Sequence, residues 1–461
     1  MKLEEVHSAY FIGIGGIGMS ALARWFHERG AKVAGYDRVP SVITDALIAE
    51  GIDIHFEDSL SHIDEEFRKK EGALVVFTPA VPQDHKELNF FIEGGFEVKK
   101  RSEVLGMISR GHYTIAVGGT HGKTTTSSMV AHLLNTEEGA CSAFVGGIMT
   151  NYDSNLIIGD SEAAVVVEAD EFDRSFLRLT PNYSILTSLD PDHLDIYGDE
   201  ATMKKTYLEF LSLNDKKAEL LLHVDTVGQL GHQLDDFSYQ SFGLEGADIH
   251  AANLSVEDGY NVFDYVGSTT IRSLKLRLPG YHNVSNAIAA ITVALSQGLS
   301  AETIKSRMES YAGVKRRFEY HLKTDRVVYI DDYAHHPSEI KALISSVRFL
   351  YPGRKVTVIF QPHLFSRTRD FQDGFSKELS KADELLMLPI YPAREAPIPG
   401  VTSEMILEEV STDKRLVQKD EFPSLLDELK PDVLLTVGAG DIDRLVPEIA
   451  NHLKQKEGVE A

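Results

Sequence analysis

The sequence predicts an α/β protein of three domains built on largely parallel sheets, and three observations carry that prediction. The chain has 461 residues, about three typical domains of ~150 residues, so each part can bury a core of its own. Short apolar runs recur along the whole length, each followed by a loop signal and then a helical pattern, which is the mark of βα units. Two glycine-rich turns directly follow such runs and open helices. No internal repeat or low-complexity segment interrupts the series.

The first series of strands is read at Tyr10 to Ile14, Lys32 to Tyr36 and Leu74 to Thr78. It pauses near Arg110-Gly111-His112, which sets a first domain over residues 1–110. A second series opens with Tyr113 to Val117 and includes Ala163 to Val167 and Ser184 to Ser188. The stretch from 240 to 280 alternates apolar and polar residues as half-buried strands do, and a helix after Tyr281 closes a domain over 111–320. The third series, over 321–461, runs Val327 to Ile330, Lys355 to Phe360, Glu384 to Leu388 and Val433 to Val437, with helices between.

Hydrophobic residues make up 43% of the chain and charged residues 25%, an ordinary globular balance, and no apolar run approaches the ~18 residues of a membrane span. The 46 Lys and Arg against 70 Asp and Glu leave a net charge of -24. That field repels nucleic acid and anionic lipid, so neither is an expected partner. An anionic small substrate then needs local Arg or Lys residues. The one cysteine, Cys141, has no internal disulfide partner and reads as a small buried hydrophobe, and the N-terminus lacks a basic region and cleavage signature. The cytoplasm is the expected compartment.

Gly13, Gly15 and Gly18 form G-x-G-x-x-G between a strand and a helix beginning near Met19, with Asp37 ending the next strand. Glycine lets the backbone approach a diphosphate, and the helix N-terminus supplies oriented N–H groups. Asp37 reads equally as a ribose contact or a solvated strand-end acid. Gly118-Gly119-Thr120-His121-Gly122-Lys123-Thr124-Thr125 also follows a strand and opens a helix. Its N–H groups can wrap phosphate oxygens, Lys123 can neutralise the β/γ end, and a threonine hydroxyl can reach magnesium. Only three residues separate Gly118 from Gly122, one fewer than in the common P-loop pattern.

The run Ala163 to Val167 leads straight into Glu168-Ala169-Asp170-Glu171, and the next strand ends in Asp190-Pro191-Asp192-His193. Acids at consecutive strand ends beside a phosphate loop suit magnesium, with Glu168 and His193 favoured. His282, Asn283 and Asn286 share one predicted helix, where the two amides can read an adenine edge or cap the helix. Arg316 and Arg317 before Phe318 suit anion binding. In the third series, Asp331-Asp332-Tyr333-Ala334-His335-His336-Pro337 follows one strand, and Gln361-Pro362-His363 with Arg367 and Arg369 follows another, where open α/β sheets place ligands. These histidines lack a cysteine set or H-E-x-x-H spacing, so they do not read as a zinc site.

Together these residues resemble the Mur ligases of bacterial cell-wall synthesis. The carriers are Gly13-Ile14-Gly15-Gly16-Ile17-Gly18-Met19-Ser20, Gly119-Thr120-His121-Gly122-Lys123-Thr124-Thr125-Thr126, Glu168-Ala169-Asp170-Glu171, Asp190-Pro191-Asp192-His193, His282-Asn283-Val284-Ser285-Asn286 and Asp331-Asp332-Tyr333-Ala334-His335-His336-Pro337. The shortened phosphate loop is the form this family uses. The resemblance implies a Rossmann-like N-terminal domain, a central P-loop-type ATPase domain and a Rossmann-like C-terminal domain, binding in order a UDP-sugar, ATP and an amino acid. It implies ATP and Mg2+ as cofactors, with UDP-N-acetylmuramate and L-alanine as substrates joined through an acyl phosphate by a monomer or weak homodimer. Attachment of a preformed tripeptide to the same sugar nucleotide is the alternative.

On that resemblance, ATP is held by Gly119, Thr120, His121, Gly122, Lys123, Thr124 and Thr125, together with His282, Asn283, Asn286, Arg317 and Asp332. Magnesium falls to Thr124, Glu168 and His193. Substrate contacts fall to Gly15, Gly16, Ile17, Gly18, Asp37, Arg101 and His335, and the chemistry to Lys123, Glu168, His193, His336, His363 and Arg367. The base for the incoming amine stays open among His335, His336 and His363. Relatives often carry arginine after the histidine of Gln-Pro-His; here Leu364 stands there, leaving Arg367 as the candidate clamp for the amino-acid carboxylate.

Overall fold

The computed structural model describes residues 2–136, 140–191, 194–213, 219–257, 259–393 and 395–459. The first sheet has five parallel strands in the order Asp53–His55, Lys32–Tyr36, Ser8–Ile12, Ala73–Phe77 and Glu97–Lys100. Its central strand is buried along its length and ends two residues earlier than the apolar run suggests, because Gly13 turns the chain at φ +87°. The helix Ile17–Glu28 then starts two residues before Met19.

The second sheet has ten strands, ordered Thr270–Leu276, Tyr260–Val266, Ile249–Glu257, Gln240–Gly243, Glu219–His223, Tyr183–Leu186, Thr114–Gly118, Val165–Glu168, Ser142–Met149 and Ser154–Ile157. Thr114–Gly118 lies between two parallel neighbours, which puts the phosphate loop and the acids after Val165–Glu168 at one carboxyl edge. The third sheet is ordered Glu319–Lys323, Val328–Asp332, Val433–Val437, Val356–Phe360, Glu384–Met387 and Asp413–Leu416. Its edge strand Glu319–Lys323 is antiparallel, as is Ser154–Ile157 in the second sheet. Neither of these two strands shows a continuous apolar run, which is why neither is among the strands read from the sequence.

The contacts divide the chain into two compact units. One comprises Met1–Leu254, Phe263–Leu274 and Ser285–Ala312; the other comprises Ser255–Val262, Lys275–Val284 and Gly313–Ala461. Inside the first unit a single apolar cluster runs from Phe11 and Leu74 through Leu22 and Trp25 to Phe144, Leu156 and Val167. The helix Ile17–Glu28 makes this possible by packing on Ser142–Met149 and Ser154–Ile157, so the first and second sheets share one core. Polar ties reinforce it: the buried Asn155 amide donates to the Ser20 hydroxyl at 3.1 Å and accepts from Arg24 at 2.7 Å. In the second unit both faces of the parallel sheet are covered. Ile330, Val358 and Leu435 pack with Ile340 and Ile344 on one side, and Tyr329, Ile359 and Leu434 pack with Phe422 and Ile449 on the other.

Candidate active site

The glycine turn of the first unit is shaped by what stands against each glycine. The Gly15 N–H donates to Asp37 at 2.7 Å, and a Cβ on Gly15 would lie 2.9 Å from the same carboxylate oxygen. Asp37 therefore braces the turn from the end of its own strand. A Cβ on Gly18 would lie 2.8 Å from Arg101 Nη1, so a guanidinium sits over the first turn of the helix that Gly16 and Ile17 open. Arg101 also donates to Asp170 at 2.8 Å. It thus spans from the glycine turn to the acids of the second sheet, along a cleft lined by Arg101, Leu105, Glu168, Asp170 and Phe176.

The phosphate loop turns at two glycines. Gly119 has φ +129° and Gly122 has φ +81°, conformations that disfavour any side chain. A Cβ would meet Thr187 Oγ1 at 2.2 Å in the first case and Asn286 Oδ1 at 2.9 Å in the second. The Thr120 and Ser188 hydroxyls lie 3.0 Å apart, Ser188 accepts from the His121 N–H at 2.7 Å, and His121 Nε2 lies 3.5 Å from Asp190. Thr124 and Thr125 are buried in the first turn of the helix Lys123–Leu134. Lys123 Nζ donates to the Gly119 carbonyl at 2.7 Å and to Glu171 at 2.9 Å. Burial alone would lower the Lys123 pKa, but the charges of Glu171, Glu168 and Asp170 outweigh it and leave the pKa raised, so the side chain stays an ammonium.

Glu168 ends its strand with Oε2 accepting from the Gly146 N–H at 2.9 Å. Gly146 is required there, since a Cβ would sit 2.6 Å from that oxygen. Asp192 and His193 lie outside the described residues. On the helix Tyr281–Ser296 the two amides divide between the open readings. Asn283 donates back to the Pro279 carbonyl at 2.7 Å, a capping bond, whereas Asn286 faces Gly122. His282 lies exposed on the first turn of that helix.

In the second unit the predicted residues gather at the carboxyl edge of three adjacent strands, Val328–Asp332, Val433–Val437 and Val356–Phe360. Asp332 accepts from the Phe318 N–H at 2.7 Å and the Ala334 N–H at 2.8 Å. Burial pushes its pKa up to about 6, against the opposing pull of Arg317. Arg316 and Arg317 each stand 5.2 Å from the Tyr333 ring centroid. His336 caps the helix Pro337–Leu350, with Nδ1 2.7 Å from Ser338 Oγ and its ring against Phe371. His335 turns the other way: its Nδ1 lies 2.9 Å from the Tyr333 carbonyl and its ring 6.1 Å from that of His363. His363 stacks on Tyr391 and lies 3.3 Å from Nη1 of the buried Arg367. Leu364 is buried at φ +71°, its N–H donating to the Tyr391 carbonyl at 3.0 Å.

Sequence reasoning did not single out Glu171 as the partner of Lys123, although Glu171 belongs to a quoted motif. The signal was its position three residues past the end of the strand Val165–Glu168, next to Asp170. Tyr391 carried no signal at all, since nothing in its neighbourhood marks a lone tyrosine as the platform for His363, 28 residues earlier in the chain.

Three family models match the chain in order: Mur ligase family, catalytic domain, over residues 8–113; Mur ligase middle domain over 117–294; and Mur ligase, glutamate ligase domain, over 316–440. The UDP-N-acetylmuramate--L-alanine ligase of Cytophaga hutchinsonii is 47% identical over 463 residues, covering 99% of each chain. That of Flavobacterium johnsoniae is 47% identical over 457 residues, covering 99% of this chain and all of the relative. The crystal structure of the UDP-N-acetylmuramate-alanine ligase of Thermotoga maritima superposes with a TM-score of 0.81 at 28% identity, covering 97% of this chain and 99% of the other. With three ordered models spanning most of its length and near-complete relatives close to half identical, the chain belongs to the Mur ligase family.

Proposed function

We propose that the protein is an ATP-dependent ligase that joins L-alanine to the lactyl carboxylate of UDP-N-acetylmuramate in peptidoglycan precursor synthesis. The observation that carries this reading is the bridge made by Arg101, which places the glycine turn and the acids beside the phosphate loop within one unit. The identity of the amino acid rests on the full-length relatives. Residues 1–110 bind the UDP-sugar, 111–320 bind ATP, and 321–461 bind the amino acid. The enzyme works in the cytoplasm as a monomer or weak homodimer, and its net charge of -24 keeps it from nucleic acid and anionic membranes.

The phosphate loop fits ATP, and the hard carboxylate of Glu168, at the sheet edge beside that loop, suits magnesium. Gly119 and Gly122, both at positive φ, let the loop turn its N–H groups toward a phosphate, and Lys123 supplies a fixed positive charge. Thr124, Glu168 and His193 would hold Mg2+, which offsets phosphate charge when bound. A carboxylate is a poor electrophile, so the lactyl oxygen first attacks the γ-phosphorus, ADP departs, and an acyl phosphate results. Lys123 draws charge off the transferring group, and Arg101 stands where it can hold the carboxylate or the diphosphate against the turn. The amine then attacks the acyl carbon and inorganic phosphate leaves. Arg367 clamps the alanine carboxylate. His335 and His363 are better placed than His336 to take the proton from the ammonium, because His336 is committed to its helix cap.

The test is phosphate release from ATP with each substrate withheld in turn. Release that requires both UDP-N-acetylmuramate and L-alanine supports the reading. Preferential use of the tripeptide would replace it with the recycling reaction.

A further inference from the structure

The antiparallel pair at the edge of the third sheet carries a feature the ligase reading does not use. Glu319 on the edge strand faces Asp331 on its neighbour, Tyr320 faces Ile330, and Leu322 faces Tyr329, so the register slips between Tyr320 and Leu322. His321 is the extra residue of this bulge, and bulges characteristically re-aim one side chain. Its ring turns onto the same face as Glu319 and Asp331, and single ligand atoms of the three residues all lie within 4.8 Å of one another. His321 Nε2 is buried and has no hydrogen-bond partner among the described residues, with Glu319 Oε2 at 3.7 Å. An imidazole nitrogen without a hydrogen bond, on a side chain only 24% exposed and beside two carboxylates, is part of a donor set that suits a cation.

We propose that Glu319, His321 and Asp331 form a binding site for a divalent cation of the zinc type, separate from the magnesium of ATP. One imidazole nitrogen and two carboxylate oxygens suit Zn2+, leaving a fourth position for water. Tetrahedral ligands at about 2 Å from zinc stand roughly 3.3 Å apart, so the 3.7 Å between Nε2 and Glu319 Oε2 needs a small contraction and the three ligand atoms, within 4.8 Å of one another, must draw in on binding.

The surrounding donors already fix the carboxylates. Glu319 Oε2 accepts from the Arg316 N–H at 2.7 Å, Asp331 Oδ2 from Arg316 Nε at 3.0 Å, and Asp331 Oδ1 from Thr436 at 2.6 Å. Each oxygen keeps a second lone pair for a metal, and outer donors of this kind orient ligating carboxylates. Arg316 offsets one of the two negative charges, so the site remains one unit negative and favours a dication over a monovalent ion. Binding would pin the edge strand to its neighbour where the bulge interrupts the ladder.

The test uses the full chain without nucleotide or magnesium and counts bound Zn2+ by equilibrium dialysis. The expected result is one Zn2+ per chain that Glu168→Gln retains, with affinity weakened in His321→Gln and Glu319→Gln by more than about 100-fold, beyond the roughly 10- to 100-fold that loss of an outer partner costs. Zn2+ should also raise the melting temperature of the wild type and not that of His321→Gln. X-ray absorption of the zinc-loaded wild type gives a readout independent of how the variants fold, and one imidazole with a light-atom shell is expected. Zinc affinity unchanged in His321→Gln, or a shell with no imidazole or more than one, would overturn the site.

Discussion

Lys123 Nζ lies 2.9 Å from Glu171, so the cation of the phosphate loop is already paired inside the protein, with Glu171 almost wholly buried. A triphosphate must take the place of that carboxylate. Glu171→Gln should therefore destabilise the nucleotide-free protein by up to about 3–5 kcal/mol, the cost of breaking a buried ion pair, lessened by the remaining pull of Glu168 and Asp170 on the ammonium. Saturating ATP should restore most of the difference. Thermal unfolding with and without ATP measures it, and an equal deficit in both conditions would mean that the lysine does not move to the nucleotide.

Lys123→Ala should lower turnover by about a thousandfold or more while leaving the affinity for UDP-N-acetylmuramate nearly unchanged. The glycine turn is braced by Asp37 and Arg101, not by Lys123. Calorimetric titration with the sugar nucleotide, alongside the ligation rate, separates the two effects.

Glu168→Gln should raise the magnesium concentration needed for half-maximal rate by roughly tenfold, since an amide is a weaker ligand for a hard cation. The fold should persist, because the glutamine carbonyl can still accept the Gly146 N–H that Glu168 accepts at 2.9 Å. A magnesium titration of the rate reads the change directly.

Glu87 makes stability depend on pH. Burial raises its pKa from 4.5 to about 7, while bonds from Tyr10 and Ser59 pull it down. The folded state thus binds this proton more tightly than the unfolded state. The stabilisation is full below pH 4.5 and is lost as pH rises through about 7. Between mildly acidic and mildly alkaline buffer, the wild type should lose about 1–3 kcal/mol more than Glu87→Gln does. Urea unfolding of both proteins across that range checks the sign.

Arg367→Ala should raise the KM for alanine by roughly 10- to 100-fold and that for ATP far less, as expected for loss of a charge-assisted carboxylate contact. Arg367→Lys should recover part of the alanine KM if the role is to hold charge. Because Arg367 is 6% exposed, the melting temperature of each variant belongs beside its kinetics.

The parallel strands and both glycine turns were legible because burial on two faces writes continuous apolar runs, and tight turns demand glycine. What stayed hidden was which way individual side chains turn. His335 and His336 carry the same chemistry, yet Ser338 and Phe371 fix the second as a helix cap and leave the first beside His363. The amides of Asn283 and Asn286 look equivalent on a helical wheel, and only the backbone at Pro279 and Gly122 tells them apart. The edge strand Glu319–Lys323 escaped detection because its residues answer to a bulge and to charged neighbours, not to an alternating core face.

The apolar cluster that runs from Phe11 through Trp25 to Val167 sets how this chain can be taken apart. A fragment cut at residue 110 would strip the helix Ile17–Glu28, with Leu22 and Trp25, of the strands Ser142–Met149 and Ser154–Ile157 that it packs on. Such a piece would stick to itself, and ligand screening against an isolated sugar-nucleotide module would report on an aggregate. Heating should likewise melt the first two sheets in one calorimetric step, so a mutation beside the glycine turn is felt in the thermal tolerance of the phosphate loop.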